Sequence, residues 1–549
     1  MVDAILTGAP RPTTRPISGR RGVALAAAFL LATSLVVGSA APAFRDAPGG
    51  TGNVSAATKD TVRILMAVPG TLDPAAQGDI GSAAVSAQLF EGLTAIDANL
   101  QVRPALAESW DLLDGGRRIV FHLRNGLAFS DGTPITAEDV VRSWLRVVNP
   151  NAPSPLVTLF GDVEGAIAYA RGENRDPDSV GLTADGLDLE VRLVRPASDF
   201  PAVVASPTFA VIPAAVDTDP SALAPAGFVG SGAYVLKAVT AEKTTLEANR
   251  NYWAGPPAIT TVELVHDIGG RSPVTAFEDG DLDLTGVFNF DATWIAYDAT
   301  LGPQLREERS LSVNYYGFDT TRAPFDDVRV RQAFAHAVDW RRLVQLVSGD
   351  TAIVASGMVP EGIPGRTDED FLPAYDPAGA RALLAEAGYP GGRGFPATTF
   401  MTFGMSYDAA VVSAIKRELG IDLQYETMTG DYFGRLAVEP PQIWSMGWVA
   451  DYPSPNDFLG ILLGTGASNN YGGWSSAPFD AAIVDALETA DPAAIRAAYD
   501  VAEGIVRDEA PVIPLAYDVS WTLARDGLLG AHENGLGIIR MAGLAWKDQ

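Results

Sequence analysis

Ile443-Trp-Ser-Met-Gly-Trp-Val-Ala-Asp-Tyr-Pro-Ser-Pro-Asn-Asp-Phe-Leu459 opens apolar and aromatic, meets a carboxylate at the strand end, Asp451, and then enters a turn built on Pro453 and Pro455. The apolar part, Ile443 to Val449, reads as a short strand. Proline has no N–H to give a sheet ladder, so pairing is expected to stop before Pro453. An acid at the end of an apolar strand, beside Trp448 and Tyr452, suits a cation held in a partly desolvated place. The simpler alternative is a strand end with an Asx-type turn at Asp451.

Strands and helices alternate on both sides of this stretch. Thr61 begins a strand, and Ser82 to Gly92 reads as a helix that buries Val85, Leu89 and Phe90. Arg118 to Leu123 alternates, with Ile119, Phe121 and Leu123 on one face and His122 on the other, and Leu187 to Leu193 alternates in the same way. Thr136-Ala-Glu-Asp139 is a capping box opening a helix to about Val148. Further helices are expected from Asp326 or Asp327, from Asp376-Pro377 to Gly388, from Asp408 to Gly420, from Phe479 to Ala490 and from Pro492 to Arg507. Alternation of this kind gives an α/β class.

At 549 residues the chain exceeds what one core supports, and two or more domains are expected. No repeat and no Pro- or Ser-rich linker interrupts it after residue 60, which favours two lobes joined by several chain crossings. Asn314 to Asp319 reads as one crossing. Gly317 there is either a hinge or a relief of crowding in a strand.

The chain carries 39 basic and 67 acidic residues, a net charge of −28, which disfavours nucleic acid and anionic membrane surfaces. It has no cysteine, which excludes disulfides, thiolate zinc sites, thiol catalysis and a lipidated N-terminal cysteine. The four histidines lie far apart, with no metal-ligand spacing. Gly230-Ser231-Gly232 lacks the spacing of a nucleophile motif, and the acids from Glu278 to Asp283 do not follow a calcium-loop pattern. No catalytic, metal or cofactor site is expected.

Residues 1–43 read as an export signal: Arg11, Arg15, Arg20 and Arg21, then the apolar run Val23 to Val37, then small residues ending at Ala41-Pro-Ala43. A retained membrane anchor is the alternative. Residues 44–60 read as a flexible lead-in.

A set of ordered blocks resembles the large solute-binding proteins of peptide-type ABC importers, the oligopeptide- and dipeptide-binding proteins. They are Leu89-Phe-Glu-Gly-Leu93, Ala107-Glu-Ser-Trp110, Phe121-His-Leu-Arg124, Phe129-Ser-Asp-Gly-Thr-Pro134, Asn249-Arg-Asn-Tyr-Trp253, Pro324-Phe-Asp-Asp-Val-Arg-Val-Arg331, Leu383-Leu-Ala-Glu-Ala-Gly-Tyr389 and Gly447-Trp-Val-Ala-Asp-Tyr452. The resemblance implies a two-lobed, hinged periplasmic-binding-protein-like fold whose large first lobe is split into two subdomains. Its expected limits are a first lobe of residues 61–313 with an inserted subdomain of about 93–200, a second lobe of 314–516, and a return to the first lobe over 517–549. A second crossing is implied near Pro514 to Tyr517. By the same resemblance Asp451 binds a peptide α-ammonium, and Gly447, Trp448 and Val449 form the strand that pairs with peptide main chain. Tyr452, Arg435 and Tyr517 complete the implied ligand-binding set. Two positions depart from the family pattern: Ser445 stands where close oligopeptide binders carry an arginine for the peptide carboxylate, with Arg435 either its substitute or a plain surface arginine, and Val449 stands where they carry a cysteine. The expectation is an exported, monomeric receptor, not a lipoprotein, that closes on a short peptide and hands it to the permease subunits of an ABC importer. A non-peptide solute (metal chelate, haem, sugar or opine) on the same scaffold is the alternative, and a secreted hydrolase a more distant one.

Overall fold

The computed structural model describes residues 60–428 and 432–547. The expected export signal over 1–43, and the lead-in up to residue 59, lie outside the described residues. The fold is mixed α/β, as the alternation of elements implies. Its frame is a twelve-stranded sheet. From one edge the order is Gln424–Thr427, Thr399–Thr402, Ile443–Val449, Ser312–Phe318, Val512–Ala524, Leu284–Val287, Thr61–Leu65, Thr261–Val265, Lys243–Ala248 and Tyr234–Val239.

The long strand Val512–Ala524 joins the two halves of this sheet. Its first part pairs with Ser312–Phe318 on one side and with Ala352–Val354 on the other. Its second part pairs with Leu305–Arg309 and with Leu284–Val287. Pro514 is tolerated inside it because the register slips between Asn314 and Tyr315, leaving Leu515 unopposed in a bulge. The chain also changes partner between Leu305–Arg309 and Ser312–Phe318, at Ser310 and Leu311. Asn314 to Phe318 therefore lies within a strand paired on both sides. Gly317 serves close packing there: a Cβ on it would come 2.5 Å from the Trp444 ring.

A second, four-stranded antiparallel sheet is formed by Ala107–Leu113, Arg118–Leu123, Asp188–Arg192 and Leu182–Asp185. The helix Ala137–Val147 packs on it, its start fixed by the reciprocal Thr136–Asp139 capping box read from the sequence. Trp144 is the centre of that core. Phe121, Phe160, Phe200 and Phe209 meet it edge-on, and its Nε1 donates to Phe209 O at 2.8 Å.

Two sequence features resolve into structural roles. Ser231 Oγ donates to Val211 O at 2.5 Å and accepts from Glu91 N at 2.9 Å, while Gly230 and Gly232 lie hard against the backbone of Gln88 and Leu89, so the Gly-Ser-Gly turn is a packing contact. Three of the four acids from Glu278 to Asp283 are taken by arginines: Asp283 by Arg63 at 3.0 Å, Asp279 and Asp281 by Arg271 at 2.8 Å each. Among the described residues no cluster suited to a metal ion occurs, and no helix is long and apolar enough to cross a membrane.

Candidate functional site

The strand Ile443–Val449 begins and ends where its sequence says it should. One edge pairs throughout with Ser312–Phe318. On the other edge the parallel strand Thr399–Thr402 reaches only Ile443 and Trp444. Ala450 N donates to Leu311 O at 2.8 Å, which continues the antiparallel register by one pair. In such a ladder hydrogen-bonded and non-bonded pairs alternate. Trp448 thus bonds to the Ser312 strand, and Gly447 and Val449 turn their N–H and C=O groups to the open edge. That edge borders a cavity of about 640 Å³ lined by Gly447, Trp448 and Val449.

Beyond the strand, Tyr452 and Ser454 lead into the one-turn helix Pro455–Phe458, capped by the Ser454 side chain. This turn brings Asp457 back beneath the strand end. Asp457 Oδ2 accepts from Trp448 Nε1 at 2.9 Å and from the main-chain N–H of Asp451 at 3.1 Å. Asp457 is wholly out of solvent. Asp451 lines a smaller chamber of about 70 Å³ that shares Ile80, Val449 and Leu536 with the large cavity. Among the described residues, Asp451 Oδ1 and Asp457 Oδ1 are buried without a hydrogen-bond partner. The Asx-turn alternative for Asp451 does not hold: its Oδ1 accepts no hydrogen bond, and the residue two positions on, Pro453, has no N–H to give. Burial pushes the Asp451 carboxyl up to about 7. Burial first, and then the neighbouring Asp451 charge, push Asp457 well above the usual carboxylate range.

The large cavity is acidic. Glu308, Asp518 and Glu533 line it, and burial raises all three. Asp518 is steadied by Ser312 Oγ at 2.9 Å and Asn314 Nδ2 at 2.8 Å. Arg309, which also lines the cavity, is ion-paired to Glu361.

Gly447, Trp448, Val449, Asp451 and Tyr452 come together along these two cavities. Tyr452 takes part through its ring: it is 3% exposed, packs into the Trp144 core, and its hydroxyl accepts from Asn456 Nδ2 at 3.0 Å. Two expectations need correction. Tyr517 is 2% exposed and faces away; its hydroxyl lies 2.9 Å from both Gly357 O and Val359 O and accepts from Ser356 N at 3.2 Å. Successive strand residues point to opposite faces, so it is the next residue, Asp518, that lines the cavity. Arg435 is exposed on the helix Tyr432–Val438 and lines neither cavity.

Sequence reasoning missed Asp457, Asp518, Glu308 and Glu533. It also missed Gln77, which lines the small chamber, is 1% exposed, hydrogen-bonds to Thr208 through Nε2, and leaves its Oε1 without a partner among the described residues. Only Asp457 left a usable trace, as a second acid within the same aromatic stretch.

The family model for bacterial extracellular solute-binding proteins, family 5 (middle region), matches residues 101–470. The chain belongs to that family. Family 5 proteins are extracellular solute-binding proteins of ABC importers. This family 5 protein is 34% identical to the probable deoxycholate-binding periplasmic protein YgiS of Escherichia coli K12, over 82% of this chain and 86% of that protein. It is 31% identical to the periplasmic oligopeptide-binding protein OppA of Salmonella typhimurium, over 90% of this chain and 93% of that protein. Among solved structures it resembles the unliganded open form of the periplasmic murein tripeptide binding protein MppA, with a TM-score of 0.79 and 27% identity, covering 89% of this chain and 98% of that one.

Proposed function

We propose that this receptor captures short peptides between two lobes and delivers them to the permease of an ABC importer. The observation that carries this reading is the buried, unpartnered Oδ1 of Asp451 at the end of the open strand edge. A peptide laid along Gly447 to Val449 would add a strand, and every peptide offers the same N–H and C=O groups to such an edge. Its α-ammonium would then reach Asp451. The names of OppA and MppA support peptide as the ligand class. The basic, apolar and small-residue order of residues 1–43, together with periplasmic relatives, supports export.

YgiS is the observation that favours a second reading, a non-peptide solute such as a bile acid. A bile acid carries an anionic head. Here the cavity is edged by Glu308, Asp518 and Glu533, and its arginine, Arg309, is already held by Glu361. The charge pattern favours a cationic head group.

Calorimetry with alanine peptides of two to five residues, their N-acetylated forms and deoxycholate tests the reading. Free-amino peptides should bind and N-acetylated ones should lose at least a hundredfold, since removing one partner of a buried ion pair costs on the order of 3–5 kcal/mol. Equal affinity for both forms, or binding of deoxycholate alone, overturns it.

A further inference from the structure

Asp457 belongs to no ion pair among the described residues, yet it is wholly buried and accepts two N–H groups on one oxygen. Both donors come from the ligand strand, Trp448 through its indole and Asp451 through its main chain. Its other oxygen has no partner, and neither has the matching oxygen of Asp451. Two carboxyls therefore share one turn, Asp457 wholly buried and Asp451 partly exposed with its Oδ1 out of solvent, and neither is ion-paired among the described residues.

The groups that face this turn from other elements do not supply a cation: Arg540, which lines the small chamber with Asp451, is ion-paired to Glu91 at 2.9 Å. Asp199, from the four-stranded-sheet region, adds a third acid and accepts from Ser454 Oγ at 2.9 Å. Arg195, behind Asp199, is ion-paired to Asp162 at 2.6 Å. Tyr452 and, from the helix Pro492–Glu509, Tyr499 are buried and neutral, their hydroxyls raised by burial.

We infer that Asp457 is a positioning residue that holds Asp451 and Trp448 to the ligand and makes their turn an exchange site, where a ligand cation enters as a proton leaves. The inference rests on the peptide reading above. Two adjacent carboxyls, one wholly and one mostly out of solvent, cannot both ionise cheaply, so the free pair keeps one proton. When the α-ammonium arrives, the acid O–H bond breaks, the proton passes to buffer base, and ammonium N–H groups take its place. The pair with its cargo carries one net negative charge before and after. A neutral or anionic head group cannot drive that exchange, so Asp457 also sets the charge of the accepted ligand.

The test is calorimetry of the whole protein with the same free-amino alanine peptides, at pH 6.5, in phosphate and in imidazole, whose ionisation heats differ. Wild type should release roughly half a proton or more per peptide. In Asp457→Asn the amide oxygen still accepts from Trp448 and Asp451, but the like charge is gone. Its proton release should fall, and the midpoint of its affinity–pH curve should move down by about one unit or more. Binding with no proton release in wild type overturns this inference and leaves the peptide reading standing, so the wild-type count decides even if the variant misfolds. An identical pH profile in the two proteins also overturns it. Failure of every peptide to bind overturns the peptide reading and this inference with it.

Discussion

The indole of Trp444 fills the place where residue 317 would carry a side chain: a Cβ on Gly317 would come 2.5 Å from its ring. The two residues are opposite each other on adjacent strands, and Gly317 also pairs with Val512. Trp444 is 2% exposed and has little room to yield. Gly317→Ala should therefore destabilise the protein by about 1–3 kcal/mol, the usual cost of overpacking a tight core. Denaturant unfolding measures this. A variant as stable as wild type would show that the Trp444 ring moves freely.

Ligand binding and stability should separate at the two corrected positions. Tyr517→Phe removes a hydroxyl that serves Ser356 N, Gly357 O and Val359 O, stranding buried groups at a cost of about 1–3 kcal/mol. Its peptide affinity should stay within about twofold once folding is allowed for. Arg435→Ala, at an exposed site, should leave both melting temperature and affinity unchanged within about 0.5 kcal/mol. A tenfold loss of affinity in Arg435→Ala would return that arginine to the ligand.

The ligand-free protein should lose stability as pH rises from about 4 to 7 at two acids, Glu503, which is buried, and Asp451, which is partly so. Burial raises Asp451 and Glu503 each to about 7, and Glu503 accepts from Met358 N at 3.1 Å and Val359 N at 3.0 Å. Both have folded values above their unfolded ones, so the folded form holds more protons in that window. Their favourable share is full below the unfolded value and is lost as pH climbs through the folded one. Asp451→Asn removes one of the two. Calorimetric melting should find it level with wild type near pH 4 and more stable than wild type above pH 7. A gap that does not widen with pH would contradict the burial of Asp451.

The sequence yielded the strand Ile443–Val449, the Thr136 cap and the place of Asp451, because these rest on local rules: alternation, capping and proline. It did not yield the face of Tyr517. A family resemblance gives a position, while the direction of a side chain depends on strand phase, and the bulge at Pro514 resets that phase just upstream. Asp457 escaped for another reason. A single helical turn has no periodicity to read, and only the fold brings it beneath Trp448. The acids of the large cavity come from segments more than two hundred residues apart, Glu308 and Asp518 among them, and no spacing rule reaches that far.

Closure around the ligand is the last expectation. The two halves of the large sheet meet along Val512–Ala524, and the chain passes between them again at Ser310 and Leu311. Few crossings of this kind leave a hinge able to turn, and a ligand that touches both sides shifts the balance by its differential affinity. The ligand strand is tied to the four-stranded-sheet region through Ser454 and Asp199, while the large cavity is bordered by Asp518 and Glu533 from the return of the chain. A peptide on Gly447 to Val449 would therefore touch elements on both sides of the crossings. Small-angle scattering should show a smaller radius of gyration with saturating alanine peptide than without it, and the same shift should be absent with the N-acetylated form. An unchanged profile at saturation proven by calorimetry would mean that this cavity takes its ligand without closing.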